Sequence, residues 1–209
     1  GQPGNGQGDA DLLMVAQSVV SNPSAGAINS VNDAISLEFD FVPSSNSASF
    51  NFVFSSDEYT AWINSSFNDV FAFFVSGPGI AGPFSAPAAF PGGSQNVAVI
   101  PGTNTPITIS TIFPAGVPGE PAAGLNPQFY ISNAGGATHT HNGFTVPIPV
   151  ELSVECGETY HFRFAIGDCS DTYLNTAVFL EAGSFVSDAV DGTVATVSGD
   201  STIVEGCTD

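Results

Sequence analysis

A chain of 209 residues is long enough for one large all-β domain or two small ones, and an apolar content of 43% supports a sizeable core. One Arg, no Lys and 20 acidic side chains give a net charge of −19 with His neutral, which excludes nucleic acid and anionic membrane as partners, because phosphate recognition needs cationic side chains. No run of about 18 apolar residues is present, so no membrane insertion is expected.

With 23 Gly, 15 Pro and 18 Phe, the composition points to many strands joined by tight turns and long loops. Acids crowded on a folded surface repel one another, and divalent cations that bind the native state relieve that repulsion. Calcium is the first expectation, since Asp, Glu, Asn and carbonyl oxygens are its ligands. The start at Gly1, without initiator Met or signal peptide, is read as a mature form or a piece of a longer chain. The scarcity of Lys and the abundance of Thr, Ser, Asn and Gly fit an extracellular protein.

Residues 1–8 carry no fold signal. Asp9 or Asp11 can cap a short helix over Leu12 to Val20, ended by Asn22-Pro23; the Asp9-x-Asp11 spacing also opens a calcium loop, although the rest of an EF-hand is absent. Ile35, Leu37, Phe39 and Phe41 alternate with Ser36, Glu38 and Asp40, predicting a half-buried strand that stops at Pro43. With the next strand it is expected to form an antiparallel pair across the turn Ser44 to Ser47.

The chain is organised around 51–78, NFVFSSDEYTAWINSSFNDVFAFFVSGP. Phe50, Phe52 and Phe54 alternate with polar or smaller residues, as in a strand with one buried face, while Val70 to Val75 is apolar throughout and reads as a central strand. Between them lies a polar insert holding Asp57, Glu58, Asn64, Asn68 and Asp69. A Pro/Gly-rich flap follows, Gly77 to Ser94, anchored by Phe84 and Phe90.

Strands are predicted at Asn96 to Ile100 and Ile107 to Ile112, then a long loop, then a stretch at Gly143 to Val154 that Pro147 and Pro149 confine to a sheet edge or a bend. In the next strand Tyr160, Phe162, Phe164 and Ile166 face the core, leaving His161 and the chain's single cation, Arg163, on the other face. Arg163 is expected to neutralise Glu181 or Glu151 on a neighbouring strand. An acidic turn with Asp168 and Asp171 leads into Thr176 to Phe185. Residues 187–209 read as a linker and the start of a following β module.

Of the cysteines Cys156, Cys169 and Cys207, a bond between the first two is tempting. An extended Thr159 to Gly167 at about 3.3 Å per residue separates its ends by roughly 25 Å, which argues against it. Connectivity stays open.

Several motifs in one order, LEFDFVP (37–43), FNFVFSSDEY (50–59), FNDVFAFFVSGPG (67–79), VAVIPGTNTP (97–106), NPQFY (126–130), NGFTVPI (142–148), CGETYHFRFAIGD (156–168) and AVFLEAGSF (177–185), closely resemble the choice-of-anchor L family. The resemblance covers about residues 33–185. It implies a secreted or cell-surface module of the kind found in long adhesin-like proteins of Bacteroidetes, with no enzymatic role to carry over. The family's usual N-terminal strands have no counterpart before LEFDFVP, so the start of the domain, taken as 1–186, is expected to be incomplete.

Asp57, Glu58, Asn68 and Asp69 sit at the two ends of one loop, and Asp168 and Asp171 in a turn where further oxygens can converge. These six, with Asp9 and Asp11, are the expected calcium ligands. Tyr59, Trp62 and Asn64 form the expected ligand face, aromatic planes beside hydrogen-bonding groups as a saccharide site uses. His139 and His141, with His161 as third ligand, offer a weaker zinc signal, exposed loop histidines being the plainer reading.

The resulting expectation is an antiparallel β-sandwich of jelly-roll type with at most one short helix. It would act as a non-catalytic, calcium-stabilised adhesin module that binds a glycan or peptide on another cell or in an extracellular polymer. The alternatives are a calcium-stiffened spacer and, less favoured, a polysaccharide hydrolase built on the acidic residues; no nucleophile elbow, HExxH or phosphate loop is present.

Overall fold

The computed structural model describes residues 8–19 and 26–187. Helix α1 (Ala10–Val19) precedes nine strands: β1 (Val31–Phe41), β2 (Ser47–Ser56), β3 (Val70–Ser76), β4 (Gln95–Asn96), β5 (Tyr130–Ser132), β6 (Gly143–Thr145), β7 (Ile148–Ser153), β8 (Tyr160–Cys169) and β9 (Thr176–Leu180). All strand pairs are antiparallel. One sheet has the order β1-β8-β3-β4; the other runs β5-β6-β2-β7, with β9 also paired to β2. The expected all-β sandwich with one short helix is what forms.

The sandwich core is aromatic. Phe52 and Phe54 of β2 pack on Phe71 and Phe73 of β3, with ring centroids 4.8–5.4 Å apart. A second core lies on the outer face of the first sheet, where Leu12, Val15 and Ala16 of α1 cover Val70, Ala72 and Phe74. Strand β3 is therefore buried on both faces, which is why it needs an unbroken apolar run. Asp9 starts the helix, its Oδ1 accepting the Leu12 N–H at 2.9 Å, as the capping reading expects.

Several expectations need correction. β1 and β2 do not pair: the turn after Pro43 carries the chain from one sheet to the other, so β1 joins β8 while β2 joins β7, β6 and β9. Ile35 and Leu37 are exposed, because β1 is an edge strand that overhangs the core. Of the strand predicted at 96–100 only Asn96 is in β4, and 107–112 forms turns whose Ile107, Ile109 and Ile112 still fill the core. Pro147 divides the predicted 143–154 strand into β6 and β7, both alongside β2. The last strand ends at Leu180, and of the linker and following β module expected at 187–209, residues 188–209 lie outside the described residues.

Arg163 corrects another expectation. Its guanidinium reaches neither Glu181 nor Glu151 but bonds Asp9 and Asp11 through separate nitrogens at 2.5 Å, while lying 4.3 Å from the Phe74 ring centroid. The single cation thus fastens the helix to the sheet. Cys169 is a buried free thiol and Cys156 is disulfide-bonded, so the bond between these two is not made.

Candidate metal centre

At one end of the sandwich, the ends of three core strands bring carboxylates together. Glu58 follows β2, Asp69 precedes β3, Asp168 lies at the end of β8 and Asp171 in the turn after it. A bulge in β1 adds Asp33: the register with β8 shifts between Asn32 and Ile35, and Asp33 takes φ 52°. Gly167 makes that bulge possible, since a Cβ there would stand 2.6 Å from Val31 Cγ1.

Glu58 and Asp69 form the interior of the cluster and are fully buried. Glu58 Oε2 accepts the Asp69 N–H at 2.9 Å. Asp69 Oδ1 accepts the Cys169 N–H at 3.1 Å, and its Oδ2 accepts the Thr176 hydroxyl at 2.8 Å. Through these bonds Asp69 ties the start of β3 to the end of β8 and the start of β9. Asn32 contributes an amide bond to the Asp171 carbonyl at 2.9 Å.

The electrostatics are unfavourable to ionisation. Burial raises the Glu58 pKa far above the ordinary carboxylate range, and the neighbouring Asp69 charge adds to it. Asp69 is raised likewise, first by burial and then by Asp168, against the lowering effect of its bonds from Thr176 and Cys169. Asp168, half-buried beside Asp33 and Asp171, is pushed up to about 6. The same surroundings push the Cys169 thiol up, so it is no reactive thiolate. Arg163, the chain's one permanent side-chain cation, is engaged elsewhere.

Asn68 supplies an independent anomaly. It is completely buried, yet neither its Oδ1 nor its Nδ2 has a hydrogen-bond partner. Each such orphaned group costs about 1–3 kcal/mol. Among the described residues no three His, Cys, Asp or Glu side chains are grouped so that they could hold a metal ion by themselves, so amide and backbone oxygens would have to complete any site. Calcium completes its six to eight positions with amide and backbone oxygens and tolerates irregular geometry, so this donor set fits it better than it fits zinc.

The other expected ligands are placed apart. Asp9 and Asp11 hold Arg163. Asp57 lies toward the 133–142 loop, its carbonyl accepting the Asn142 amide and its charge acting on His141. Of the expected ligand face, Tyr59 is buried against Phe54 and Tyr130 and presents no open ring. The Asn64 amide is held by Glu120, and Trp62, packed edge-on against Phe67, stays 40% exposed.

The zinc reading of the histidines meets a clear obstacle. His161 of β8 sits with Asp40 and Glu38 of β1, away from the other two. His139 Nε2 and His141 Nδ1 both address the buried Ser55 hydroxyl, at 2.9 and 2.7 Å. Asn133, oriented by the Thr138 N–H and hydroxyl on its Oδ1, donates its amide to His139 Nδ1 at 2.7 Å. His139 thus has both ring nitrogens engaged, Nδ1 by Asn133 and Nε2 by Ser55, and neither is turned to a third metal ligand. Neither sequence position nor spacing signalled Ser55 as the partner.

A family model, the Choice-of-anchor L domain, matches residues 1–186. The chain belongs to the choice-of-anchor L family. The match takes in α1 and the Asp9/Asp11 pair, which the motif resemblance left outside. Membership makes this choice-of-anchor L domain an extracellular or surface-associated module, and no helix among its described residues is long and apolar enough to cross a membrane. No curated protein and no solved structure matches the chain.

Proposed function

We propose that this choice-of-anchor L domain is a calcium-ordered, non-catalytic recognition module of a surface protein. The observation that carries the calcium is the buried Glu58 and Asp69 pair, on which the charges of Asp168 and Asp171 act, with Asp33 beside Asp168 and with Asn68, whose buried amide is orphaned, next to Asp69 in the chain. A hard divalent cation supplies the missing positive charge and a partner for the Asn68 oxygen together. Because the oxygens come from the ends of β2, β3 and β8 and from the β1 bulge, the ion joins both sheets.

Burial also supports the non-catalytic reading. A hydrolase would need at least one of its two carboxyl groups to reach a glycosidic oxygen, and Glu58 and Asp69 are 1% and 0% exposed. For recognition of a glycan, only Trp62 of the three expected residues offers an open aromatic surface, which shifts the weight towards a peptide ligand. A purely structural spacer would bind the ion in the same way but no partner.

Isothermal titration of calcium into chelator-stripped protein tests the ion. The expected result is at least one site, lost in Glu58→Gln and in Asp69→Asn. A heatless titration, or binding unchanged in both variants, contradicts it. A glycan array in calcium separates the spacer from glycan recognition, since binding that depends on Trp62 is expected only of the latter.

A further inference from the structure

The side of the sandwich formed by β1 and β9 is open. Among the described residues β1 pairs only with β8, and β9 only with β2, so each presents one edge of unpaired backbone N–H and C=O groups. The two edges belong to different sheets and face each other across an apolar groove of about 240 Å³. Ile35 and Leu37 line it on the β1 side, Val178 and Leu180 on the β9 side, and Phe164 and Ile166 of β8 lie between. Ile35 is 68% exposed, Leu37 58% and Leu180 45%.

An 11-residue edge strand whose apolar Ile35 and Leu37 stay exposed among the described residues is a template for pairing with another strand, and isolated domains ordinarily blunt such an edge with Lys, Pro or a covering segment. Here the β1 register slips only at the bulge near Asp33 and is regular from Ile35 to Phe41, so the strand remains available along the groove. Lys is absent from the chain altogether. The residues that alternate with Ile35 and Leu37 are Ser36, Glu38 and Asp40, and Glu181 follows β9. The groove is therefore apolar inside and anionic along its flank.

We propose that the β1/β9 groove receives an extended segment of another protein that pairs with the free edge of β1, placing an apolar side chain at every second position into the groove and Lys or Arg at the positions between. Backbone hydrogen bonds to β1 fix the strand, the groove selects the apolar positions, and cross-strand contact with Glu38 and Asp40 selects the cations. The proposal rests on the reading of the domain as a recognition module and not on its ion.

The test is fluorescence anisotropy of the full chain with three labelled heptapeptides, in calcium and in chelator: one alternating Lys and Val, one alternating Asp and Val, and one alternating Lys and Pro, which cannot donate along an edge. Saturable binding of the Lys/Val peptide is expected, weakened about tenfold by Ile35→Asn combined with Leu37→Asn, with no saturable binding of the other two. Both substitutions lie at exposed positions, so folding is checked by circular dichroism without being threatened. Equal binding of the Lys/Pro peptide, or binding unchanged in the double variant, reduces the effect to general charge attraction and overturns the proposal. A dimer in sedimentation that the double variant dissociates assigns the groove to a second copy, and protected outer-edge amides of β1 in the peptide-free monomer assign it to this chain's own remaining residues; either result also overturns it. Loss of binding in chelator alone would leave the groove standing and make it dependent on the ion.

Discussion

The Glu58 carboxylate accepts the backbone N–H of Asp69 at 2.9 Å, so two acids that repel each other are held together at the point where β2 hands over to β3. Eleven positions separate them in the chain, and the whole polar insert lies between. The bond fixes the insert's two ends whatever the ion does. No side chain of the cluster, however, compensates either carboxylate once it ionises.

That imbalance sets the pH dependence of the ion-free domain. Glu58, Asp69 and Asp168 all have folded-state pKa values raised above the unfolded ones, near 4 for carboxylates. The folded state then holds protons that the unfolded chain has released, so the stabilisation present below about pH 4 is lost as pH climbs through the raised values. Urea midpoints in chelator are expected to be lower at pH 8 than at pH 5.

Neutralising one member should relieve the repulsion. Glu58→Gln keeps an oxygen to accept the Asp69 N–H and cannot ionise, and because burial already holds Glu58 largely protonated at pH 8, the variant in chelator is expected to melt no lower than the parent there. In calcium the order reverses, because the parent gains the ion and the variant does not. Paired thermal melts read both signs.

The Arg163 clasp is expected to matter for α1. Arg163→Gln leaves Asp9 Oδ2 and Asp11 Oδ2 without their cation, and breaking a largely buried ion pair costs about 3 kcal/mol. For a domain of this size that lowers the melting temperature by roughly 6–12 °C. Limited proteolysis should then cut within residues 8–19 before the sheets.

The Ser55 latch responds in the opposite sense to the acidic cluster. Burial lowers the His141 pKa, and His139 lowers it further, against a raising effect of Asp57. A depressed His keeps its stabilisation above the unfolded value of about 6.5 and loses it as pH falls through the folded one. The His141 NMR signals are expected to titrate at lower pH than those of an unfolded-chain histidine, together with those of the 133–142 loop, and Ser55→Ala should loosen the loop even at neutral pH.

Local pattern made β3 legible, since only burial on both faces explains an apolar run from Val70 to Val75. It also placed Tyr160 and Phe162 in the core and Asp9 at the helix start. Partner choice was not legible. The alternation in β1 is compatible with a hairpin to β2 or with an arch into the other sheet, and period alone cannot decide between them. Nor does alternation distinguish a covered edge from an open one, which is why Ile35 and Leu37 were expected to be buried. Arg163 meets Asp9 across 154 positions, beyond what any local spacing reveals. In the acidic site, Glu58, Asp69, Asp168 and Asp171 were named from their clustering in two turns, while Asp33 was missed because its bulge exists only in the pairing of β1 with β8. Tyr59 was read as open because an aromatic residue beside polar ones looks alike whether it faces in or out.

The central claim is that a divalent cation completes the Glu58 and Asp69 cluster, and the melting temperature of the full chain at pH 7.5 in calcium and in chelator tests it most directly. At a calcium concentration about 100 times the dissociation constant, one site contributes about 2.7 kcal/mol, which corresponds to roughly 5–11 °C for a domain of this size. A rise of that order, present with calcium and absent in Asp69→Asn, is the predicted result; an unchanged melting temperature would contradict it.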